Sequence, residues 1–189
     1  STDKSLVNTV THHIHEEEFH MRTIKKVASH IFIDGFGGMT QGLFATLIIG
    51  TMIQQIGLLI GGSTGNVIYL LGKAAAALTS AGIGVGVAVK YGESPLVTVS
   101  AAVAAMVGGY AGKITGGTFF VDGNAVLAGP GEPLGAFIAA FAGITCGHLV
   151  SGKTKVDIIV TPVITIGAGS VVGLLVGPPI SQMMTGLGS

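Results

Sequence analysis

Residues 158–176 carry no charged side chain. As a helix, that run is long enough to cross about 30 Å of hydrocarbon, and it restricts the chain more than any other feature. Lys153, Lys155 and Asp157 stand at its mouth, Pro162 lies near its start, and Pro178-Pro179 are expected to close it. Gly169, Gly173 and Gly177 recur at every fourth position, so a helix places them on one face. Such a seam suits a membrane helix, because small residues let neighbouring backbones approach closely. The rest of the composition agrees: 10% of residues are charged, against about a quarter in soluble domains. Glycine contributes 32 of 189 residues, and without a three-residue period this excludes collagen. A formal net charge of zero gives no footing for nucleic acid, and the single Cys146 excludes an internal disulfide.

The chain therefore reads as an all-α, polytopic membrane protein. A polar, amphipathic segment is expected over 1–30, followed by a membrane domain over 31–189. About five spans are expected, at 32–60, 67–89, 96–111, 134–150 and 158–177, some of them short, broken or proline-kinked. The 96–111 segment sits at the lower length limit for a span, so a re-entrant element is the alternative. The first 30 residues show no short apolar core followed by a small-residue cleavage site, so no cleavable signal peptide is expected.

Every histidine except His148 lies within 1–30. His12, Glu16 and His20 share a helical face; that spacing suits a divalent metal, and more commonly a solvated face of Glu–His pairs. No metal site or cofactor is expected, and His-Glu-Glu-Glu-Phe-His does not match the zinc-protease pattern. Asp34 falls where a membrane segment begins, as a helix cap or as a carboxylate facing an ion or substrate. Residues 112–133 are rich in turn formers yet apolar in part. Irregular backbone of this kind near a membrane lines a cavity or is packed inside protein. Lys113, Thr115, Gly116, Gly117 and Thr118 form a candidate anion- or sugar-binding loop there, with an ordinary extramembrane loop as the alternative.

Gly147-His-Leu-Val-Ser-Gly152-Lys153-Thr154 matches a phosphate-loop pattern letter for letter. A true phosphate loop follows a strand and opens a helix, whereas this one follows an apolar run of membrane length. Its lysines serve more simply as anchors. With five spans and a cytoplasmic N-terminus, Lys4, Arg22, Lys25, Lys26, Lys90, Lys153 and Lys155 all fall inside; Lys113 is left outside and Lys73 within a span. That bias expects a multi-pass protein of the bacterial plasma membrane with its N-terminus in the cytoplasm.

Thr154-Lys-Val-Asp-Ile-Ile-Val-Thr-Pro-Val-Ile-Thr165 with Gly177-Pro-Pro-Ile180 resembles the sugar phosphotransferase system EIIC-like family, some of whose members are labelled perfringolysin-regulator-like. Phe32-Ile-Asp-Gly-Phe-Gly-Gly-Met-Thr-Gln-Gly-Leu-Phe-Ala-Thr-Leu-Ile-Ile-Gly50 and Gly82-Ile-Gly-Val-Gly-Val-Ala-Val-Lys-Tyr91 extend the similarity over about residues 30–188. Members are longer, so the resemblance implies the first half or a short version. It implies a permease that passes a sugar while partner IIA and IIB proteins carry out any phosphoryl transfer, so the chain itself is not expected to be an enzyme. The expected partners are the lipid bilayer, a small-molecule ligand and further copies of the chain. Asp34, Lys113, Thr115, Lys155, Asp157, Thr161 and Thr165 are the candidate substrate-binding residues: carboxylates accepting from hydroxyls, lysines as charge partners, threonines beside the Pro162 kink. For Lys155 and Asp157 an interfacial anchor pair is the other reading. A membrane sensor that binds a small molecule or lipid without transport is the alternative function, and an ion channel is a weaker one.

Overall fold

In the computed structural model, residues 21–187 are described; the expected His12, Glu16, His20 face lies outside them. The described chain is almost entirely helical. Helix α1 spans Met21–Ile60, α2 Gly62–Ala77, α3 Thr79–Lys90, α4 Pro95–Gly109, α5 Ala111–Thr115, α6 Pro133–Val150 and α7 Asp157–Leu187. Among these residues, 3 helices are long and apolar enough to cross a membrane, or 4 if the bent pair α2–α3 is one span. This is an all-α polytopic membrane protein.

Helix α1 begins well before the expected span at 32 and runs without interruption to Ile60. It widens into π-helical turns at His30–Asp34 and Phe44–Ile48. Beside the second, the Thr46 hydroxyl donates to Gly42 O at 2.7 Å, a side-chain intrusion into the ladder of the kind that deforms helices. Gly61 and Gly62, at φ +65° and +62°, then turn the chain back, a backbone that a Cβ would strain.

The second expected span proves to be two helices. The chain breaks at Leu78, and α2 and α3 meet at 53°. No proline causes this. Four alanines lead into Thr79 and Ser80, both fully buried, and the Thr79 hydroxyl takes up the freed Ala76 carbonyl at 2.6 Å. Together α2 and α3 return along α1. Helix α1 and the bent pair α2–α3 meet through glycine pairs: Gly57 with Gly65, Gly50 with Gly72, Gly42 with Gly82, and Gly38 with Gly86. Gly84 faces the other way, onto Ala101 and Ala105 of α4. The alternating glycines at 82, 84 and 86 thus serve two interfaces.

Helices α4, α6 and α7 pack mutually, with α3 against α4 and α6. The core they enclose is built from Ile83, Val87, Val97, Ala101, Ala105, Ala136, Ala140 and Ile144, with alanine at half of these positions. The buried row of α7 continues the glycine seam in both directions: Thr161, Thr165, Gly169, Gly173, Gly177, then Ile180. Contrary to expectation, Pro178-Pro179 do not end α7. The helix carries them, and Pro162, through 31 residues to Leu187. At about 46 Å it exceeds the hydrocarbon thickness. Helix α4, at 15 residues, covers only about 22 Å, and α5 extends it after a break at Tyr110.

Between α5 and α6 lies a short hairpin that pairs Phe120 with Ala125 and Val121 with Asn124. Asp122 and Gly123 form its turn at φ 50° and 78°, the Asp-Gly signal of a tight turn between antiparallel strands.

Candidate functional site

The helix break at Leu78 and the chain around Gly131 are drawn together by one buried tyrosine. Tyr110 is 1% exposed. Its hydroxyl lies 3.2 Å from Ala77 O, at the break, and is hydrogen-bonded to Gly129 O. The Ser80 hydroxyl donates to Pro130 O at 3.0 Å, and Glu132 N donates to Gly109 O at 2.7 Å. Gly131, at φ +76°, leaves no room for a Cβ, which would sit 2.5 Å from Ser80 Oγ. A non-helical segment is thereby folded onto a discontinuous helix, with Pro130 O and Gly109 O each given a donor and the Tyr110 proton shared between Ala77 O and Gly129 O.

Beside this junction is a cleft of about 220 Å³ whose lining includes Gly109, Lys113, Ala128, Gly131, Glu132 and Ser181. The end of α4, the irregular segment, the start of α6 and the tail of α7 all contribute. Lys113 Nζ bonds Ala128 O and stands 5.3 Å from the centre of the Tyr110 ring, a cation–π placement. Glu132 caps α6, its carboxylate accepting from Leu134 N at 3.4 Å. No ion pair joins Lys113 to Glu132 among the described residues, so one cation and one carboxylate share the cleft separately. That arrangement can offer donors and acceptors to a polyhydroxylated ligand at the same time.

The sequence-derived candidates are dispersed. Lys113 lines the cleft. Thr115 is exposed and bonds back to Ala111 O at 2.9 Å within its own helix. At the other end of the bundle, Asp157 Oδ1 accepts from Gly152 N at 2.8 Å and from the Thr161 hydroxyl at 2.6 Å. The Thr165 hydroxyl donates to Thr161 O at 2.7 Å. Thr161 and Thr165 are fully buried, and Thr165 packs where Gly147 has no side chain. These three residues are therefore occupied in fixing α7 against α6 and the preceding turn. Lys155 is exposed and makes no hydrogen bond or ion pair among the described residues. The letter-perfect phosphate-loop match is the last turn of α6 and a turn whose Gly152 N–H is directed to Asp157; no strand precedes it.

Asp34 pairs with His30 at 2.7 Å, one helical turn away in α1. Burial, with the Asp34 charge as a second and smaller cause, pushes the nearby Tyr91 phenol above its ordinary 10.0. The phenol therefore stays protonated at neutral pH and donates to Ile31 O at 3.4 Å.

Ser80 and Tyr110 at the junction, and Glu132 in the cleft beside it, are the residues that the sequence reading passed over. Their signal was present but weak: a hydroxyl pair after an alanine run, a tyrosine next to Gly108-Gly109, and a carboxylate before Pro133. Replacing Tyr110 with phenylalanine removes the one hydroxyl proton that Ala77 O and Gly129 O share. We expect a loss of about 1–3 kcal/mol, read as a lower melting temperature in detergent, with faster amide exchange concentrated in residues 126–132. Unchanged melting and exchange would remove Tyr110 from this role.

Residues 33–189 match the family model described as "Phosphotransferase system, EIIC". No curated protein and no solved structure matches the chain.

Proposed function

The chain belongs to the phosphotransferase system EIIC family, and from that membership we propose that it is a permease subunit translocating a small polar substrate, a sugar, through the cleft at the broken helix. The observation that carries the site is the break at Leu78 with the Gly129–Gly131 segment packed onto it by Tyr110 and Ser80. Transporters bind substrates where helices are discontinuous and irregular backbone lines a cavity. Lys113 and Glu132 add a donor and an acceptor at the same place. Of the residues expected from sequence, Lys113 is assigned a direct contact. Asp157, Thr161 and Thr165 hold the helices that frame the path, and Lys155 anchors the interface.

In this reading the phosphoryl group comes from separate IIA and IIB partners, which act at the cytoplasmic face. With five spans, the lysine distribution supports an N-terminus on that side, in a bacterial plasma membrane. The apolar outer faces of α1 and α2, with Leu59 86% exposed, suit lipid and further copies of the chain.

The test is uptake of labelled hexoses into proteoliposomes with IIA, IIB and a phosphoryl donor supplied or withheld. We expect accumulation of phosphorylated sugar only with the partners present. Binding without flux under every condition would replace the permease by a membrane sensor.

A further inference from the structure

A second cleft, of about 260 Å³, lies toward the far end of α6 and is lined by Tyr91, Glu93, Phe141, Ile144, Thr145 and His148, among others. Helix α6 is 18 residues long, about 27 Å, and its two ends belong to the two clefts. The second one has none of the broken backbone of the first. Its walls are aromatic and aliphatic: Tyr91 and Phe141 meet edge to face with ring centroids 6.3 Å apart, and Ile144 is 3% exposed.

Its polar groups are few, and Glu93 is the one carboxylate among the lining residues. The Glu93 side chain is 8% exposed. Its two oxygens share a single partner, His148 Nδ1, at 3.0 and 3.1 Å. No other donor reaches this carboxylate among the described residues, although a carboxylate has about four acceptor sites. The His148 side chain is 70% exposed, so the one group that covers Glu93 is on the rim. His30, also at the cleft, is held by Asp34. No lysine or arginine is among the lining residues. The Thr145 hydroxyl donates to Phe141 O at 2.8 Å, which leaves it only as an acceptor.

The geometry points to a binding site for an organic cation: an ammonium group against Glu93, with its apolar body against the Phe141 and Ile144 side of the cleft. A buried carboxylate beside an aromatic wall attracts a desolvated cation by charge and by quadrupole. A polyol does not suit this cleft, because it needs several protein donors and acceptors in register, and apolar side chains form most of the wall. The two clefts thus differ in chemistry, and failure of sugar transport at the first leaves the second untouched.

The test uses the full chain in lipid nanodiscs and titrates 2-phenylethylammonium, with 2-phenylethanol as the neutral counterpart of the same shape and empty nanodiscs as the control for partition into lipid. We expect saturable binding of the ammonium at one site and at least tenfold weaker binding of the alcohol. Glu93→Gln keeps the side-chain shape and is expected to weaken the ammonium at least tenfold. Thr145→Phe, at an exposed position on the rim, fills the cleft and is expected to abolish binding even if the Glu93 variant does not fold. The assignment is overturned if the alcohol binds as well as the ammonium, if either variant binds like the parent, if a neutral hexose displaces the probe, or if no saturable binding occurs.

Discussion

Replacing Gly42 with alanine is expected to separate α1 from α3. The added Cβ would lie 2.1 Å from Gly82 O and 2.4 Å from Gly82 C. Both are backbone atoms of a packed helix, so no side chain can swing aside. Overpacking in soluble cores costs about 1–3 kcal/mol; here relief requires moving one helix relative to the other, and we expect a loss at or above the upper end of that range. Thermal or denaturant unfolding in detergent measures it. The matched control is Gly167→Ala, also within a helix but with no atom inside 4 Å of the added carbon, and its effect should stay within about 0.5 kcal/mol. If the two variants melt alike, the glycine seam does not hold these helices together.

The second large effect is expected at Glu132. Glu132→Gln removes the charge that faces the cleft but keeps an oxygen able to accept from Leu134 N, now 3.4 Å from Glu132 Oε1. Helix α6 should therefore keep its cap. The expected result is a fall of at least tenfold in sugar uptake by proteoliposomes supplied with the partner proteins, with the melting temperature unchanged. Uptake equal to the parent's would place the substrate elsewhere. A parallel fall in uptake and melting would make Glu132 a residue that positions α6.

The distribution of glycine was legible in the sequence, but its pairing was not. Spacing at every fourth residue put Gly169, Gly173 and Gly177 on one face, and they do share one. Nothing in that spacing says that Gly42 meets Gly82 while Gly57 meets Gly65. Those partners depend on the register of two helices, which the turn at Gly61-Gly62 and the bend at Leu78 set. The prolines misled for a related reason. Pro178-Pro179 remove backbone donors and normally end a helix, yet in an apolar bundle any alternative backbone leaves still more groups unpaired, so α7 continues.

The candidate site divides in the same way. Lys113 was found because turn residues surrounded it, a local property. Ser80 and Pro130 are far apart in the chain and meet only because the Gly129–Gly131 segment folds back onto the break, which also brings Glu132 to the cleft. Asp157, Thr161 and Thr165 carried the most specific part of the family resemblance, and the structure engages them with one another.

The sequence by itself determined the solvent of this protein: long uncharged runs must leave water, and in hydrocarbon they must be helical to satisfy their own backbone. It also determined which faces could come close, because only small residues permit it. Tertiary structure alone decided which glycines meet, where a helix breaks without proline, and which carboxylates remain short of donors. Each of these depends on contacts between residues distant in the chain, and no local pattern encodes such contacts.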